Sequence, residues 1–127
     1  MSSVSAYFDR LLDRRGEPAL PALHSTTYRD GSAPLPARCH DNVDRWVSEN
    51  PEAVAVRGWA IEMDRSDSVM LVAHSVVRLS GGELAEITLD RAYPFLSHEG
   101  TAEDFEYLRT NFAQLIWPPA KGVELGS

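Results

Sequence analysis

The chain contains one cysteine, Cys39, among its 127 residues, and this scarcity excludes two kinds of small protein. One thiol cannot build a framework of internal disulfides, and it cannot supply the several ligands of a multi-cysteine zinc site. Basic residues are also few: 12 lysines and arginines stand against 19 aspartates and glutamates, for a formal net charge of −7. Because nucleic acids and anionic membranes attract basic surfaces, this charge argues against both as partners.

Long apolar segments are missing as well. No stretch approaches the roughly 18 uninterrupted apolar residues of a membrane-spanning helix, and the N-terminus lacks the basic-then-apolar layout of a signal peptide. The composition is otherwise ordinary, with 43% hydrophobic and 24% charged residues. We therefore expect residues 1–127 to form a single soluble, cytoplasmic domain with its own core.

Apolar spacing predicts two helices in the first half of the chain. Residues 1–15 carry apolar side chains at helical spacing, which predicts an N-terminal helix. Residues 16–37 contain four prolines and two glycines and are expected to form a loop rather than a strand. A second helix is expected from near Pro36 to Ser48, since proline suits a first helical turn.

The second half of the sequence predicts a small sheet followed by a helix. Strands are expected at Ala53–Met63, Met70–Leu79 and Glu83–Leu89, with a loop over residues 90–100. Thr101 is expected to cap a C-terminal helix that ends at Pro118-Pro119. Its apolar stripe would be Phe105, Leu108, Phe112 and Leu115. The pattern predicts an α+β fold with helices packed on a three-stranded antiparallel meander, a core over 38–117 and a tail over 118–127.

Three residues form the one chemical constellation in the sequence. Cys39 lies at the predicted start of a helix, where the helix dipole stabilises a thiolate. His74 lies in the middle of an apolar strand, and Glu86 lies on the return strand of the same hairpin. A thiolate activated by an imidazole is the nucleophile of cysteine hydrolases and acyltransferases.

The turn of that hairpin decides whether the histidine and the glutamate can meet. A three-residue turn at 80–82 pairs Leu79 with Glu83 and makes His74 and Glu86 diagonal neighbours on one face. A two-residue turn at 81–82 places them on opposite faces instead. The sequence leaves both registers open.

The order of these residues resembles the compact papain-like fold of transglutaminase-like and NlpC/P60-type cysteine enzymes. The matching residues are Cys39 in PARCHDNV, His74 in VAHSVV and Glu86 in LAEITL. The resemblance implies a compact papain-like core in which Cys39 is the nucleophile, His74 the base and acid, and Glu86 the orienting group. Glutamate stands where aspartate or asparagine is usual. The fragments CHDNV, RGW, HSVV and GELAEIT also resemble small uncharacterised bacterial proteins, a likeness that implies no activity.

We therefore predict a cysteine-dependent hydrolase or transferase that acts on an amide, ester or thioester of a small molecule or peptide. Backbone N–H groups around Cys39 would hold the oxyanion. No cofactor and no metal are expected. Further substrate contacts are predicted at Arg38, Asn42, Tyr93 and His98. An oligomer contact is predicted through the C-terminal helix and Trp117.

Three alternatives stay open at this point. In the first, the domain is a non-enzymatic binding module in which Cys39 is buried as a packing residue. In the second, it is a small lyase or isomerase in which His74 and Glu86 form an acid–base pair. The third is a metal site drawn from Cys39, His40, His74, His98 and Glu86. His40 lies roughly 100° around the helix from Cys39, so it is expected on the helix surface, as is Asn42.

Overall fold

The computed structural model describes residues 4–119, which form three α-helices and six β-strands. The helices are α1 (Val4–Asp13), α2 (Cys39–Glu49) and α3 (Ala102–Asn111). The strands are β1 (Ala22–Leu23), β2 (Val54–Asp64), β3 (Val69–Arg78), β4 (Leu84–Glu86), β5 (Phe95–Ser97) and β6 (Gln114–Trp117). The α+β class is confirmed, and residues 120–127 of the expected tail lie outside the described residues.

The sheet is larger than the expected meander. Its strands follow the order β1-β4-β3-β2-β5, and β6 pairs with β3 on the same side as β4. Only the β1–β4 pair is parallel among these pairings. Strand β6 covers Val69–Val72 of β3, while β4 covers Val77 and Arg78. Along this edge of β3, His74 and Ser75 therefore lie in the interval between the residues that pair with β6 and those that pair with β4.

Three predictions of local structure are wrong for one shared reason. The proline-rich segment contains β1, the expected 90–100 loop contains β5, and the C-terminal helix stops at Asn111 so that Leu115 lies in β6. Each short strand satisfies its backbone groups on the exposed edge of a strand distant in sequence, which local propensity does not reveal. The predicted cap of α3 is confirmed, because the Thr101 side chain accepts a hydrogen bond from the backbone N–H of Asp104 at 3.1 Å.

The sheet is strongly curled. Ala19 exchanges two backbone hydrogen bonds with Phe95 of β5, at 2.8 and 3.0 Å, while Ala22 pairs with Ala85 of β4. Ala19 therefore lies beyond β5 at one edge of the sheet, and Ala22 lies in β1 at the opposite edge. In a flat sheet these two edges would be about 24 Å apart. The three residues that join Ala19 to Ala22 span only about 11 Å. The face that carries His74 is therefore turned inward.

The helices pack on the outer face of the curled sheet in two groups. Helices α1 and α3 cover one half, and α2 covers the other. The first cluster includes Phe8, Trp59, Leu71 and Phe105, and the second includes Val43, Trp46, Val77 and Ala85. None of the helices within residues 4–119 has the length and apolarity to cross a membrane.

Trp117 belongs to the interior, so its predicted role as an oligomer contact is wrong. Its side chain is 4% exposed, and its indole N–H donates to Asp9 Oδ1 at 3.0 Å. The prediction assumed that Trp117 ends a helix, but pairing of β6 with β3 turns its ring towards α1, where it lies 5.5 Å from the ring of Phe8.

Candidate active site

Cys39 is the first residue of α2 and is half-buried. The first helical hydrogen bond runs from the Asn42 N–H to the Arg38 carbonyl at 2.8 Å. The N–H groups of Cys39, His40 and Asp41 therefore stand outside the helical ladder. These donors lie at the positive end of the helix dipole, where Cys39 begins the helix.

The backbone just before Cys39 adopts an uncommon conformation. Ala37 has a φ of 60°, and no other non-glycine residue among the described ones has a positive φ. This left-handed conformation costs an alanine about 1–2 kcal/mol. Backbone strain of this kind clusters at functional sites, where the surrounding structure enforces it. Here it turns the chain into α2 and so sets the position of Cys39.

His74 and Glu86 meet on the inner face of the sheet. The pairs Val77–Ala85 and Arg78–Leu84 confirm the register of the three-residue turn. The Nε2 atom of His74 lies 2.6 Å from Glu86 Oε1, and both side chains are buried. Because Nε2 is committed to the carboxylate, Nδ1 is the ring nitrogen that remains for the sulfur of Cys39.

Backbone groups hold the second oxygen of Glu86. Its Oε2 accepts hydrogen bonds from the N–H groups of Thr88 at 3.1 Å and Leu89 at 3.2 Å. With both backbone donors on Oε2, the bond between His74 and Oε1 has the imidazole as donor and the carboxylate as acceptor. The glutamate is thus fixed on both sides, as an orienting group requires.

The surroundings of Cys39 favour its thiolate. Burial alone would raise the pKa of the thiol, but hydrogen bonds with His40 and His74 and the charge of the His74 ring lower it to about 6. Burial likewise opposes the charged form of His74, yet hydrogen bonds to Cys39 and Glu86 and the charges of both raise its pKa to about 9. Between these values the thiolate–imidazolium pair is the dominant form.

The expectation that His40 lies on the helix surface is wrong. Its Nδ1 lies 2.5 Å from the hydroxyl of Ser75, which also accepts from Arg57 Nη1 at 2.8 Å. The guanidinium of Arg57 is held in turn by Asp44 at 2.5 Å. Since an arginine can only donate, the hydroxyl proton of Ser75 is free to reach Nδ1, and we assign the His40 hydrogen to Nε2.

Asn42 is also placed differently from the prediction. It is 4% exposed, and its side-chain amide donates to the Leu35 carbonyl at 2.8 Å and to Thr88 Oγ1 at 3.1 Å. Its Oδ1 accepts from the Leu35 N–H at 3.1 Å. These bonds tie the preceding loop and the chain after β4 to the helix, and Asn42 also lines a pocket with Tyr28 and Arg38, so its contact with a substrate stays a prediction.

Two predicted contacts lie away from the sulfur. His98 Nε2 donates to the Thr101 carbonyl at 2.8 Å, and its Nδ1 accepts from the hydroxyl of Tyr7 at 2.7 Å. Tyr93 lies under the guanidinium of Arg91 at 5.0 Å. Neither residue lines the pocket beside Cys39.

That pocket has a volume of about 280 Å³. Its lining residues are Ala37, Arg38, Cys39, His40, Asp41 and Arg109. Arg38 therefore lines the pocket beside Cys39, and its contact with a substrate stays a prediction. Arg109 of α3 is an addition that the sequence did not indicate. Within residues 4–119, no group of three or more His, Cys, Asp and Glu side chains is arranged to hold a metal ion.

Comparison of the chain with protein-family models, with curated proteins and with solved structures finds no match in any of the three. The resemblance to papain-like enzymes therefore stays a prediction.

Proposed function

We propose that the protein is a cysteine-dependent acyl-transfer enzyme acting on an amide, ester or thioester. The observation that carries the proposal is the linked array of Cys39, His74 and Glu86. A thiol at a helix start lines a pocket, its pKa is lowered by a buried imidazole, and a fixed carboxylate orients that imidazole. We propose as part of the same hypothesis that the core of this domain is related to the compact papain-like fold.

The reaction follows from the protonation states of the pair. The thiolate of Cys39 attacks the carbonyl carbon, and the electrons of the carbonyl bond move to oxygen. The tetrahedral intermediate collapses as the leaving group takes the proton from His74 Nδ1, which leaves an acyl thioester on Cys39 and a neutral imidazole. Water, or another acceptor, then attacks the thioester while Nδ1 takes its proton, and the thiolate–imidazolium pair is restored.

The oxyanion has donors from two sources. The backbone N–H of Cys39 stands outside the helical ladder, as described above. The side chain of His40 adds an Nε2–H, held in this tautomer by Ser75 and Arg57. Donors fixed before the reaction stabilise the developing charge without reorganisation, which is the largest single contribution in many enzymes.

The two other functional hypotheses have less support. A cysteine buried only as packing should have a raised thiol pKa, whereas the pKa of Cys39 is lowered to about 6. A lyase or isomerase that uses His74 and Glu86 needs an imidazole nitrogen that faces the substrate. Here Nε2 is committed to Glu86, and the same ring interacts with the side chain of Cys39.

The test is acylation by p-nitrophenyl acetate, an activated ester that requires no knowledge of the natural substrate. We expect a burst of about one equivalent of nitrophenolate, a protein mass increased by one acetyl group, and the modification mapped to Cys39. In Cys39→Ala the burst and the acetyl group should disappear. In His74→Gln acylation at pH 7 should slow by about 10–100-fold, because a thiol with an ordinary pKa of about 8.5 is only a few per cent thiolate at this pH.

A matched control is His24→Gln, because within residues 4–119 the His24 side chain bonds only the nearby Thr26 and packs on Trp46. It should retain the burst. Acetylation of wild-type Cys39 no faster than that of a free thiol would overturn the proposed function. So would equal rates for wild type and His74→Gln, once circular dichroism shows that the variant is folded.

A further inference from the structure

Two pockets share a wall formed by Arg38 and Asp41. One is the pocket of about 280 Å³ beside Cys39, and the other, of about 300 Å³, lies on the far side of Arg38 and is lined by Tyr28 and Leu35 among others. Pockets for small ligands are roughly 300–1,000 Å³ in volume. Each pocket therefore suits a small group, and Arg38 is the residue that both groups would touch.

The guanidinium of Arg38 has no hydrogen-bond or ion-pair partner among residues 4–119. Several other arginines of this acidic protein are paired, such as Arg45 with Asp30 and Arg57 with Asp44. An exposed, unpaired guanidinium beside a nucleophile is available to an anionic ligand. Its planar fork matches a carboxylate, which it binds through two parallel hydrogen bonds.

Arg109 brings a second guanidinium from α3. Its Nε donates to Glu106 at 2.9 Å, and the two terminal nitrogens have no partner within the described residues. The hydrogen bond to Glu106 raises its pKa against the effect of burial, and the charges of Asp41 and Cys39 add to this increase. Arg109 is therefore already compensated in part, which makes Arg38 the stronger anion site.

We propose, on the basis of the proposed acyl transfer, that the substrate carries a carboxylate close to its reacting carbonyl, and that Arg38 binds this carboxylate with Arg109 as a secondary contact. A single negative charge fits better than a phosphate dianion, because Asp41 and the thiolate of Cys39 border the same pocket. The substrate class is thus a small acyl compound with a free carboxylate, such as an N-acyl amino acid.

The test compares iodoacetate with iodoacetamide as alkylating agents of Cys39. In both reactions the thiolate displaces iodide, and the two reagents differ only by a carboxylate in place of an amide. The ratio of their rate constants therefore measures how the pocket treats a carboxylate, independently of how nucleophilic the sulfur is. Because the chain has one cysteine, each rate belongs to Cys39.

In Arg38→Gln we expect the iodoacetate-to-iodoacetamide ratio to fall about fivefold, the effect of one charge at about 4 Å in water. Arg109→Gln should lower the ratio by less, and Arg38→Lys should retain most of it. The control is Arg65→Gln, which removes the same charge at an exposed arginine that lines neither pocket. Its ratio should equal that of the wild type.

The failure of this proposal is distinguishable from the failure of the acyl-transfer proposal. An unchanged ratio in Arg38→Gln, or an equal fall in Arg65→Gln, overturns the carboxylate site. The proposed function is judged instead by iodoacetamide alone, whose rate with wild type should remain high at pH 7 whatever the charge of the pocket.

Discussion

His74 and Glu86, twelve residues apart in the chain, meet across the β3–β4 hairpin with 2.6 Å between Nε2 and Oε1. The carboxylate cannot turn away, because backbone N–H groups of Thr88 and Leu89 hold its other oxygen. The imidazole is therefore fixed with its free nitrogen towards Cys39. Because the imidazole is held in one position, the reactivity of Cys39 should depend on pH through the ionisation of Cys39 and His74.

The first prediction concerns that dependence. Alkylation of wild-type Cys39 by iodoacetamide should rise with a midpoint near pH 6, since the pKa of the thiol is lowered to about 6. Acylation by p-nitrophenyl acetate should rise with the same midpoint, because nitrophenolate leaves without a proton and only the thiolate of Cys39 has to form.

His74→Gln removes the imidazolium that stabilises the thiolate. Its alkylation midpoint should move towards about pH 8.5, the ordinary pKa of a cysteine. Rates measured by quenched alkylation and mass spectrometry from pH 5 to pH 10 would show the shift, with His24→Gln as the control. Coincident curves for the wild type and His74→Gln would remove His74 from the chemistry.

The second prediction concerns Glu86, which is 2% exposed. In Glu86→Gln the amide must aim its NH₂ group either at the backbone N–H groups of Thr88 and Leu89 or at His74. Either choice leaves a buried donor facing another donor, or forces His74 to change tautomer. We expect a loss of about 1–3 kcal/mol in the free energy of unfolding and a raised Cys39 alkylation midpoint.

Urea denaturation measures the first effect. The matched control is Glu83→Gln in the exposed turn of the same hairpin, which should change the free energy of unfolding by less than about 0.5 kcal/mol. If Glu86→Gln were as stable as Glu83→Gln, the carboxylate would not be fixed as the structure indicates.

The meeting of His74 with Glu86 could be predicted because it depends on local sequence. Both residues belong to one hairpin, and the three-residue turn at 80–82 determines the register. The start of α2 could be predicted for a similar reason, since the prolines before Cys39 restrict the backbone. These local features place two of the three proposed catalytic residues on one face and the third at a helix start.

The contribution of His40 could not be predicted in this way. A helical wheel shows only that His40 points away from the neighbouring Cys39, and it does not show which strand the helix end approaches. The contact depends on how α2 packs over Ser75 of β3. The strands β1, β5 and β6 were missed for the same reason, because their partners are distant in sequence.

The third prediction tests the support of His40. Ser75→Ala removes the hydroxyl that links His40 to Arg57, so the imidazole loses its fixed tautomer. Acylation should slow, and the Cys39 alkylation midpoint should rise above about pH 6. His40→Phe should slow acylation by about 10²–10³, the loss expected for one oxyanion donor.

Asp44→Asn is the control for this series, because Asp44 lies at the exposed end of the same chain of hydrogen bonds. It should leave the alkylation midpoint within experimental error. Thermal melts separate folding from chemistry. If Ser75→Ala were destabilised while its midpoint and acylation rate stayed those of the wild type, Ser75 would be a packing residue only.

The fourth prediction concerns Gly58, which lies opposite His74 in the β2–β3 register and opposite Ser97 in β5. A Cβ at this position would overlap the carbonyl oxygen of Leu96 and come within 2.6 Å of Phe95 Cζ. The carbonyl belongs to the backbone of β5, so β5 itself must shift. We expect Gly58→Ala to lower the free energy of unfolding by about 1–3 kcal/mol, the cost of overpacking a core.

The same substitution should disturb the proposed catalytic pair, because the ring of Phe95 lies 6.4 Å from that of His74 on the inner face of the sheet. Alkylation of Cys39 at pH 7 should therefore slow in Gly58→Ala. The control is Gly16→Ala, where a Cβ meets no atom within 4 Å. It should leave the alkylation rate unchanged and leave stability unchanged or raise it by up to about 1 kcal/mol. If Gly58→Ala were as stable and as reactive as Gly16→Ala, β5 would not be packed against β2 as closely as described, and the inner face around His74 would not be tightly enclosed.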